Sequence, residues 1–384
     1  MSLSILADEN IPYVREAFAT LGEVSTMPGR MMKREHLAKA DILLVRSVTK
    51  VNAELLEGTP VRFVATATIG EDHIDKNYLA HHGIGFASAP GSNADSVADM
   101  VSGILVGFAE ILKFSLEGKS IGIVGVGNVG SRVEQRARAL GMKCVLNDPP
   151  LANEIGGERF SSMEEIQVCD VITFHVPLTK EGRYKTKHMV DVEFLSKLSP
   201  ETLIINTARG AVIDNKALCA AIRAGRPKYA ALDVWEGEPR IDRDLLELTV
   251  FGSPHIAGYS FDGKVNGTEQ IYHAVCAFLD KAPEWNPAPL LPAPDCPAVH
   301  LTSTLHPQFL FQQAIDVVYD FRRDDKALRG ILSLTDDEAA AQFDRLRKEY
   351  PIRREFKNTL VRLNPPNEEL SRRFVGLGFA PEQD

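Results

Sequence analysis

The sequence predicts an α/β protein with parallel sheets and a smaller C-terminal segment of different character. Short apolar runs alternate with helical patterns over residues 4–279 of the 384-residue chain. This alternation is typical of strand–helix–strand units with right-handed crossovers, which build parallel sheets. A glycine-rich turn in the middle of the chain and a proline-rich stretch before residue 298 indicate further boundaries.

The composition is that of an ordinary globular protein, with 44% hydrophobic and 25% charged residues. A net charge of −9 argues against general binding to nucleic acids or to anionic membranes. The five cysteines are scattered without a CxxC pair, so we expect neither a disulfide framework nor a metal site. The sequence pattern indicates neither a signal peptide nor an apolar stretch of membrane-spanning length. We therefore expect a cytoplasmic location by default.

The first sheet is predicted from four apolar runs near the N-terminus. The predicted strands are Ser4–Ala7, Ile42–Val45, Val61–Val64 and Ile84–Ala87, and the predicted helices are Tyr13–Leu21, Arg34–Ala40, Ala53–Glu57 and Lys76–His82. Functional loops of a parallel sheet follow the carboxyl ends of its strands. One such loop carries Arg46 and Ser47. Another carries Thr66 and Thr68, although β-propensity at a strand end alone would also explain these threonines.

The central glycine-rich turn predicts a dinucleotide site. The apolar run Ser120–Val124 leads into Gly125, Gly127 and Gly130, which have the GxGxxG spacing, and then into a helical pattern over 131–140. In this motif the glycines permit a tight turn, a close approach of the pyrophosphate and close helix packing, while the helix N-terminus attracts the phosphates. Asp148 follows the next apolar run at the distance of an acid that binds ribose hydroxyls, so we expect NAD rather than NADP.

The remaining strand pattern extends this Rossmann-type, doubly wound sheet. A long helical pattern over Asp95–Phe114 precedes it, and its later strands are predicted at Val171–Phe174, Thr202–Ile205, Tyr229–Leu232 and Val250–Phe251. The cofactor domain is therefore expected to span 95–257. A helical pattern over Val265–Leu279 is expected to return to the first domain, which would then be discontinuous and comprise 1–94 and 258–282.

The C-terminal quarter differs in composition from the rest. Six prolines lie in Lys281–Pro297, which predicts a stiff linker over 283–297. Residues 298–384 show one strand-like run, Ala298–Leu301, and two charge-rich helical patterns, Pro307–Tyr319 and Asp336–Lys348. We expect a small α+β docking or oligomerisation module. Either one of its clustered arginines crosses a dimer interface to an anionic substrate, or the cluster forms a solvated, salt-bridged helix face. The cluster consists of Arg345, Arg347, Arg353 and Arg354.

Three side chains after successive strands of the cofactor domain suit the oxidation of a hydroxy acid. Arg209 has the planar fork that holds a carboxylate, and His255 provides an imidazole, which can accept a hydroxyl proton as a general base. Glu238, if paired with His255, would orient the ring and stabilise the imidazolium. Each residue alone is compatible with an ordinary structural role, and their joint placement favours a catalytic one.

Three segments resemble the signatures of the D-isomer-specific 2-hydroxyacid dehydrogenases: Asn206–Gly210, Asp233–Pro239 and Pro254–Gly258. The resemblance implies Arg209, Glu238 and His255 as catalytic residues and a flavodoxin-like α/β substrate domain before the cofactor domain. Beside the motif glycines Gly125, Gly127 and Gly130, it implies NAD contacts from the start of the following helix and from the strand ends: Asn128, Val129, Asp148, Val176, Thr207, Ala208, Arg209, Asp233, His255 and Gly258.

The segment Gly258–Lys264 and the tail segments Val318–Arg329 and Phe343–Phe356 resemble one branch of that family. Members of this branch oxidise a phosphorylated four-carbon hydroxy acid and dimerise through the C-terminal module. The resemblance implies a homodimer and substrate contacts from Ser47, Thr68 and Tyr259. For such a substrate the charge of Arg46 and the hydroxyl of Ser47 suit the phosphate, and the hydroxyls of Thr66 and Thr68 suit a polyhydroxylated acid. The alternatives are another dehydrogenase of the family, acting on phosphoglycerate, hydroxypyruvate or glyoxylate, and a non-catalytic NAD(H)-sensing protein.

Overall fold

The computed structural model describes residues 3–382, which form two compact units. Of these residues, 3–93 and 260–293 form one unit, and 94–259 and 294–382 form the other. The discontinuous unit therefore also contains most of the proline-rich stretch. The C-terminal segment, expected as a separate domain, lies in the same unit as the glycine-rich turn.

The discontinuous unit is built on a five-stranded parallel sheet. Its elements before residue 94 are β1 (Ser4–Asp8), α1 (Val14–Phe18), β2 (Glu23–Met27), β3 (Ile42–Val45), α2 (Ala53–Leu56), β4 (Phe63–Thr66), α3 (Lys76–His81) and β5 (Gly85–Ala87). The strand order is β2-β1-β3-β4-β5, which is the flavodoxin-like order that the resemblance implied. Strands β1, β3 and β4 are almost fully buried, as expected for a sheet covered on both faces.

The second unit begins with a long buried helix and a six-stranded parallel sheet. Its elements up to residue 252 are α4 (Ala94–Leu112), β6 (Ser120–Val124), α5 (Asn128–Ala139), β7 (Lys143–Asn147), α6 (Pro149–Ile155), α7 (Met163–Gln167), β8 (Val171–Phe174), α8 (Val192–Ser196), β9 (Leu203–Asn206), α9 (Asn215–Arg223), β10 (Tyr229–Leu232), α10 (Arg243–Leu248) and β11 (Phe251–Gly252). The strands lie in the order β11-β10-β9-β8-β6-β7 and are all parallel. The chain adds β7 on one side of β6 and β8 on the other, so the strand order reverses between β6 and β8. Ligands of doubly wound sheets bind outside the carboxyl ends of the strands at such a reversal.

Strand β7 is the last strand on its side of this sheet. Beyond β7, the N–H of Ser161 donates to the carbonyl of Leu146 at 2.6 Å, but no further strand is formed there. The chain then returns to the sheet through α7, whose N-terminus is closed by a capping box between Ser162 and Glu165.

The last helix of the discontinuous unit is α11 (Phe261–Phe278). Its buried side chains Tyr272 and Val275 join a core that includes Ile5 and Phe18. Ser260 is the N-cap of this helix, and its hydroxyl accepts a hydrogen bond from the N–H of Gly263. The return of the chain to its first sheet thus follows from an apolar helix face with a well-formed N-cap.

The C-terminal segment packs on the second unit. It comprises β12 (Ala298–Thr302), α12 (Pro307–Val318), α13 (Phe321–Arg329), α14 (Asp336–Lys348), β13 (Leu360–Asn364) and α15 (Glu368–Gly376), and β12 pairs with β13 in parallel. Phe321 of α13 packs against Gly103 and Gly107 of α4, and a Cβ at Gly107 would overlap its ring. One hydrophobic core continues from α4 and β6 into α12 and α15, so this segment is an integral part of the second unit.

Candidate active site

The glycine-rich turn has the shape that a dinucleotide requires. Gly125 has a φ of +86°, and a Cβ there would lie 2.6 Å from the carbonyl oxygen of His175. A Cβ at Gly130 would overlap the carbonyl oxygen of Gly125, so only glycine lets α5 approach the turn. A Cβ at Gly127 would meet nothing within 4 Å, which leaves the space where a pyrophosphate would approach the backbone. The residues present therefore fit NAD.

The N-terminus of α5 lies directly after this turn. Asn128 and Val129 are its first residues, and Gly127, at the N-cap, provides no side-chain cap. N–H groups in the first turn of a helix have no partner within the helix and bind anions well. Asn128 is exposed and Val129 is partly exposed, as contacts with a phosphate would require.

Asp148 lies beside the turn, one residue after β7. Its carboxylate accepts hydrogen bonds from the N–H of Val126 at 2.8 Å and from the N–H of Leu151 at 3.0 Å. It is thus the N-cap of α6 and also fixes the second residue of the glycine-rich turn. The carboxylate that we predict to bind the ribose is held against the turn by the fold itself.

His175, the residue before the predicted cofactor contact Val176, lies behind the turn, with its carbonyl against Gly125. Its Nε2 is 3.0 Å from the hydroxyl of Thr173, and its Nδ1 is 3.4 Å from the hydroxyl of Thr207. Burial lowers the pKa of His175 to about 3, so the imidazole is neutral at physiological pH. A neutral ring can support the predicted cofactor residues Val176 and Thr207 without adding charge. A histidine directly after a buried strand was the available sequence signal.

The three predicted catalytic residues follow three adjacent strands of one sheet. Arg209 follows β9, Glu238 follows β10 and His255 follows β11, and these strands are neighbours in the order β11-β10-β9. Because the strands are parallel, all three residues lie at the same edge of the sheet. The Arg209 loop is held by Asn206, whose fully buried amide donates to the Arg209 carbonyl at 3.0 Å and accepts from the Ala208 N–H at 3.0 Å.

His255 and Glu238 form a direct pair. The His255 Nδ1 lies 2.7 Å from Glu238 Oε2, and the other Glu238 oxygen accepts from the N–H of Trp235 at 2.9 Å. Burial alone would raise the pKa of Glu238, but the charge and hydrogen bond of His255, the Trp235 N–H and the charge of Arg347 together lower it. Glu238 is therefore ionised at neutral pH and able to orient the ring and stabilise an imidazolium.

Asp233 fixes the loop that carries His255. Its buried carboxylate accepts hydrogen bonds from the hydroxyl of Ser253 at 2.5 Å and from the N–H groups of Ile256 at 2.8 Å and Ala257 at 3.0 Å. Its carbonyl accepts from the His255 N–H at 2.7 Å. These bonds hold His255 at a φ of +58°, a left-handed conformation that is uncommon for residues other than glycine. Asp233, predicted as a cofactor contact, thus also positions the base.

The C-terminal segment reaches the same loop through Arg353. The guanidinium, which is only 5% exposed, donates to the carbonyl of Ala257 at 2.9 Å and to the hydroxyl of Ser96 at 2.6 Å. It also lies 4.1 Å from the ring centroid of Tyr319. The tail arginines were predicted to cross a dimer interface or to form a solvated face. For Arg353 both alternatives are wrong, because it is buried within its own chain.

The substrate residues predicted in the discontinuous unit lie at the carboxyl edge of its own sheet. Arg46 follows β3 and forms a bidentate pair with the buried Asp8, with distances of 3.1 and 3.4 Å. This pair already compensates much of the charge that we predicted to hold a phosphate. Ser47 is exposed. Thr68 lies two residues after β4, where its hydroxyl contacts that of Thr66 at 2.8 Å and donates to the carbonyl of Gly70 at 3.1 Å.

Known protein families match both the sheet with the glycine-rich turn and the C-terminal segment. Residues 98–257 match the family described as D-isomer specific 2-hydroxyacid dehydrogenase, NAD binding domain, and residues 290–378 match a domain of unknown function (DUF3410). A D-lactate dehydrogenase from Aquifex aeolicus, solved with NAD and lactic acid, has a TM-score of 0.61 at 27% identity over 72% of this chain and 95% of its own. An NAD⁺-bound 3-phosphoglycerate dehydrogenase from Entamoeba histolytica has a TM-score of 0.63 at 28% identity over 73% and 96%. The fold and the site define an NAD-dependent dehydrogenase of the D-isomer-specific 2-hydroxyacid class.

More similar relatives extend over the C-terminal segment as well. The erythronate-4-phosphate dehydrogenase of Salmonella arizonae is 47% identical over 360 residues, which is 94% of this chain and 94% of that protein. The erythronate-4-phosphate dehydrogenase of Salmonella paratyphi A is 46% identical over the same shares. The chain therefore belongs to the erythronate-4-phosphate dehydrogenase family.

Proposed function

We propose that the protein oxidises 4-phospho-D-erythronate to (R)-3-hydroxy-2-oxo-4-phosphooxybutanoate in the synthesis of pyridoxal 5′-phosphate (vitamin B6). The observation that carries the substrate assignment is the sequence identity with erythronate-4-phosphate dehydrogenases, which is 46–47% over 94% of the chain. The Arg209, Glu238 and His255 set supports turnover rather than mere sensing of the dinucleotide, because a sensor needs no base with a paired carboxylate.

The chemistry follows from the site residues. NAD, bound at the glycine-rich turn, would supply the acceptor for the hydride that leaves C2 of the substrate. Arg209 would hold the substrate carboxylate, and the Nε2 of His255 would accept the proton of the C2 hydroxyl. Glu238, 2.7 Å from the other ring nitrogen, would stabilise the imidazolium formed in that step. Oxidation thus removes a hydride and a proton, and it leaves the 2-oxo acid.

A panel of 2-hydroxy acids tests this assignment. The purified protein is assayed with NAD for NADH absorbance on 4-phospho-D-erythronate, D-erythronate, 3-phospho-D-glycerate and D-glycerate. We expect the highest kcat/KM with 4-phospho-D-erythronate. A clear preference for 3-phospho-D-glycerate would favour another dehydrogenase of the class. Tight binding of NADH without turnover of any acid would favour a non-catalytic protein.

The proposal includes a homodimer that forms through the C-terminal segment. Large apolar side chains are exposed there, among them Leu305, Phe309 and Val317, which are 44–61% exposed. An apolar surface of this kind is typical of a protein–protein interface. Light scattering should therefore give twice the chain mass of 42.3 kDa; a monomer at micromolar concentration would contradict this part of the proposal.

The proposed location is the cytoplasm. Support comes from the cysteines, all five of which are present as thiols without a disulfide. Along the described residues 3–382, no helix combines the length and apolarity that crossing a bilayer would require.

A further inference from the structure

A second arginine of the C-terminal segment lies beside the candidate active site. Arg347 belongs to the last turn of α14, and its Nη2 donates to the hydroxyl of Tyr259 at 3.1 Å. Its guanidinium also lies 5.7 Å from the centroid of the Tyr259 ring. Tyr259 follows His255 by four residues on the same loop, so α14 brings a positive charge to the loop that carries the base.

The hydrogen-bonding capacity of Arg347 is largely unused in the protein itself. A guanidinium has five N–H donors, and its Nε is buried without an acceptor among residues 3–382. Within the same described residues, no carboxylate forms an ion pair with Arg347 at 4 Å or less. The charged side chains that it influences, Glu238 and Asp233, are already committed to His255 and to its loop. Although burial opposes it, these carboxylates together with Tyr259 raise the pKa of Arg347, so the guanidinium stays charged and its remaining N–H donors can bind an anion.

The proposed substrate has two anionic ends. Arg209 is assigned to the carboxylate, so the 4-phosphate needs a second cationic group in the neighbourhood of His255. The charge near His255 that has no acidic partner in the described chain is that of Arg347. A planar guanidinium suits a phosphate because it can donate two parallel hydrogen bonds.

We propose that Arg347, together with Tyr259, binds the 4-phosphate of the substrate and so makes the C-terminal segment a specificity element of its own chain. This inference rests on the proposed function above. The structural neighbours named for lactate and 3-phosphoglycerate cover only 72–73% of this chain, whereas the erythronate-4-phosphate dehydrogenases cover 94%. A phosphorylated substrate does not by itself require the C-terminal segment. In this chain the C-terminal segment contributes Arg347 to the surroundings of His255.

The neighbouring Arg345 provides a matched control. It lies two residues earlier on the same helix and is exposed. Arg347→Met and Arg345→Met both remove one positive charge from α14 and leave a long side chain in its place. Arg347→Lys keeps the charge but removes the fork.

The first measurement is the ratio of kcat/KM for 4-phospho-D-erythronate to kcat/KM for D-erythronate. We expect this ratio to fall at least about tenfold in Arg347→Met, because a charge-assisted hydrogen bond to the phosphate is lost. It should change less than about twofold in Arg345→Met. A wild-type ratio in Arg347→Met, even with both activities reduced, would overturn the proposal and assign Arg347 to the support of Tyr259 and Glu238.

The second measurement does not depend on turnover. Calorimetry of the NAD-loaded protein with inorganic phosphate should show at least about tenfold weaker binding in Arg347→Met, with an intermediate loss in Arg347→Lys. Equal phosphate affinity in all variants would overturn the proposal. If the Met variant does not fold, the Lys variant decides, since it retains the buried charge. A wild-type enzyme without preference for the phosphorylated acid would instead refute the proposed function.

Discussion

Arg353 offers the sharpest test of how the C-terminal segment supports the active site. Arg353→Met removes the donors to the Ala257 carbonyl and the Ser96 hydroxyl and the contact with the Tyr319 ring. Hydrogen bonds from a charged group contribute about 1.5–3 kcal/mol each, and a desolvated cation–π contact about 2 kcal/mol. Burial of the methionine and relief of the guanidinium's desolvation offset part of this loss. We therefore expect a destabilisation of about 3–5 kcal/mol, as for other broken buried charge clusters.

Urea unfolding followed by tryptophan fluorescence in a Trp285→Phe background, which leaves the buried Trp235 as the reporter, measures this change in the unit that contains Arg353. The matched control is Arg354→Met, because Arg354 is adjacent and only partly buried, and it donates to Asn358 at 2.8 Å within its own segment. We expect less than about 1 kcal/mol for the control. We also expect a lower kcat in Arg353→Met alone, because the Ala257 carbonyl lies two residues after His255. A destabilisation below 1 kcal/mol together with an unchanged kcat would refute the reasoning.

Three further predictions concern the site. Glu238→Gln should lower kcat and move the acidic limb of the pH–kcat/KM profile to lower pH, since the lowered pKa of Glu238 keeps a charge beside the imidazolium; an unmoved limb would count against this role. Asp148→Ala should weaken NAD binding and reduce the preference over NADP in paired KM measurements, whereas an unchanged preference would exclude the ribose contact. Burial lowers the pKa of His175 to about 3, so between about pH 6.5 and pH 3 only the unfolded chain binds its proton. We therefore expect the free energy of unfolding to fall with decreasing pH in this range, by up to about 1.4 kcal/mol per pH unit. Urea unfolding at two pH values should show this slope in the wild type and a smaller one in His175→Gln.

The sequence predicted the elements in which local pattern and burial agree. The buried strands β3, β8, β9 and β10 are apolar runs, and the carboxyl ends of parallel strands meet at one edge whatever the details of packing. For this reason the placement of Arg209, Glu238 and His255 after successive strands of one domain could be inferred from the sequence, whereas the neighbouring positions of those strands come from the structure. The predicted helix over 34–40 was wrong in type, because only a short 3₁₀ turn over Arg34–Leu37 forms there.

Other elements escaped the sequence analysis because their local signals are weak. Strand β2 is partly exposed along its length and carries no apolar run. Helix α13 reads as a charged segment, although Phe321 and Leu328 anchor it in the core. The roles of Arg353 and His175 depend on partners that only the tertiary fold supplies, and no periodicity could reveal a contact between Arg353 and Ser96, which lie 257 residues apart.

The central claim is that His255, held by Glu238, takes the hydroxyl proton of the substrate while NAD accepts the hydride. The most direct measurement is NADH formation from 4-phospho-D-erythronate by the wild type and by His255→Ala, with NADH affinity measured in parallel. The account predicts a loss of about 10²–10⁴-fold in kcat for the variant with NADH still bound. A variant that turns over 4-phospho-D-erythronate at a near-normal rate would contradict it.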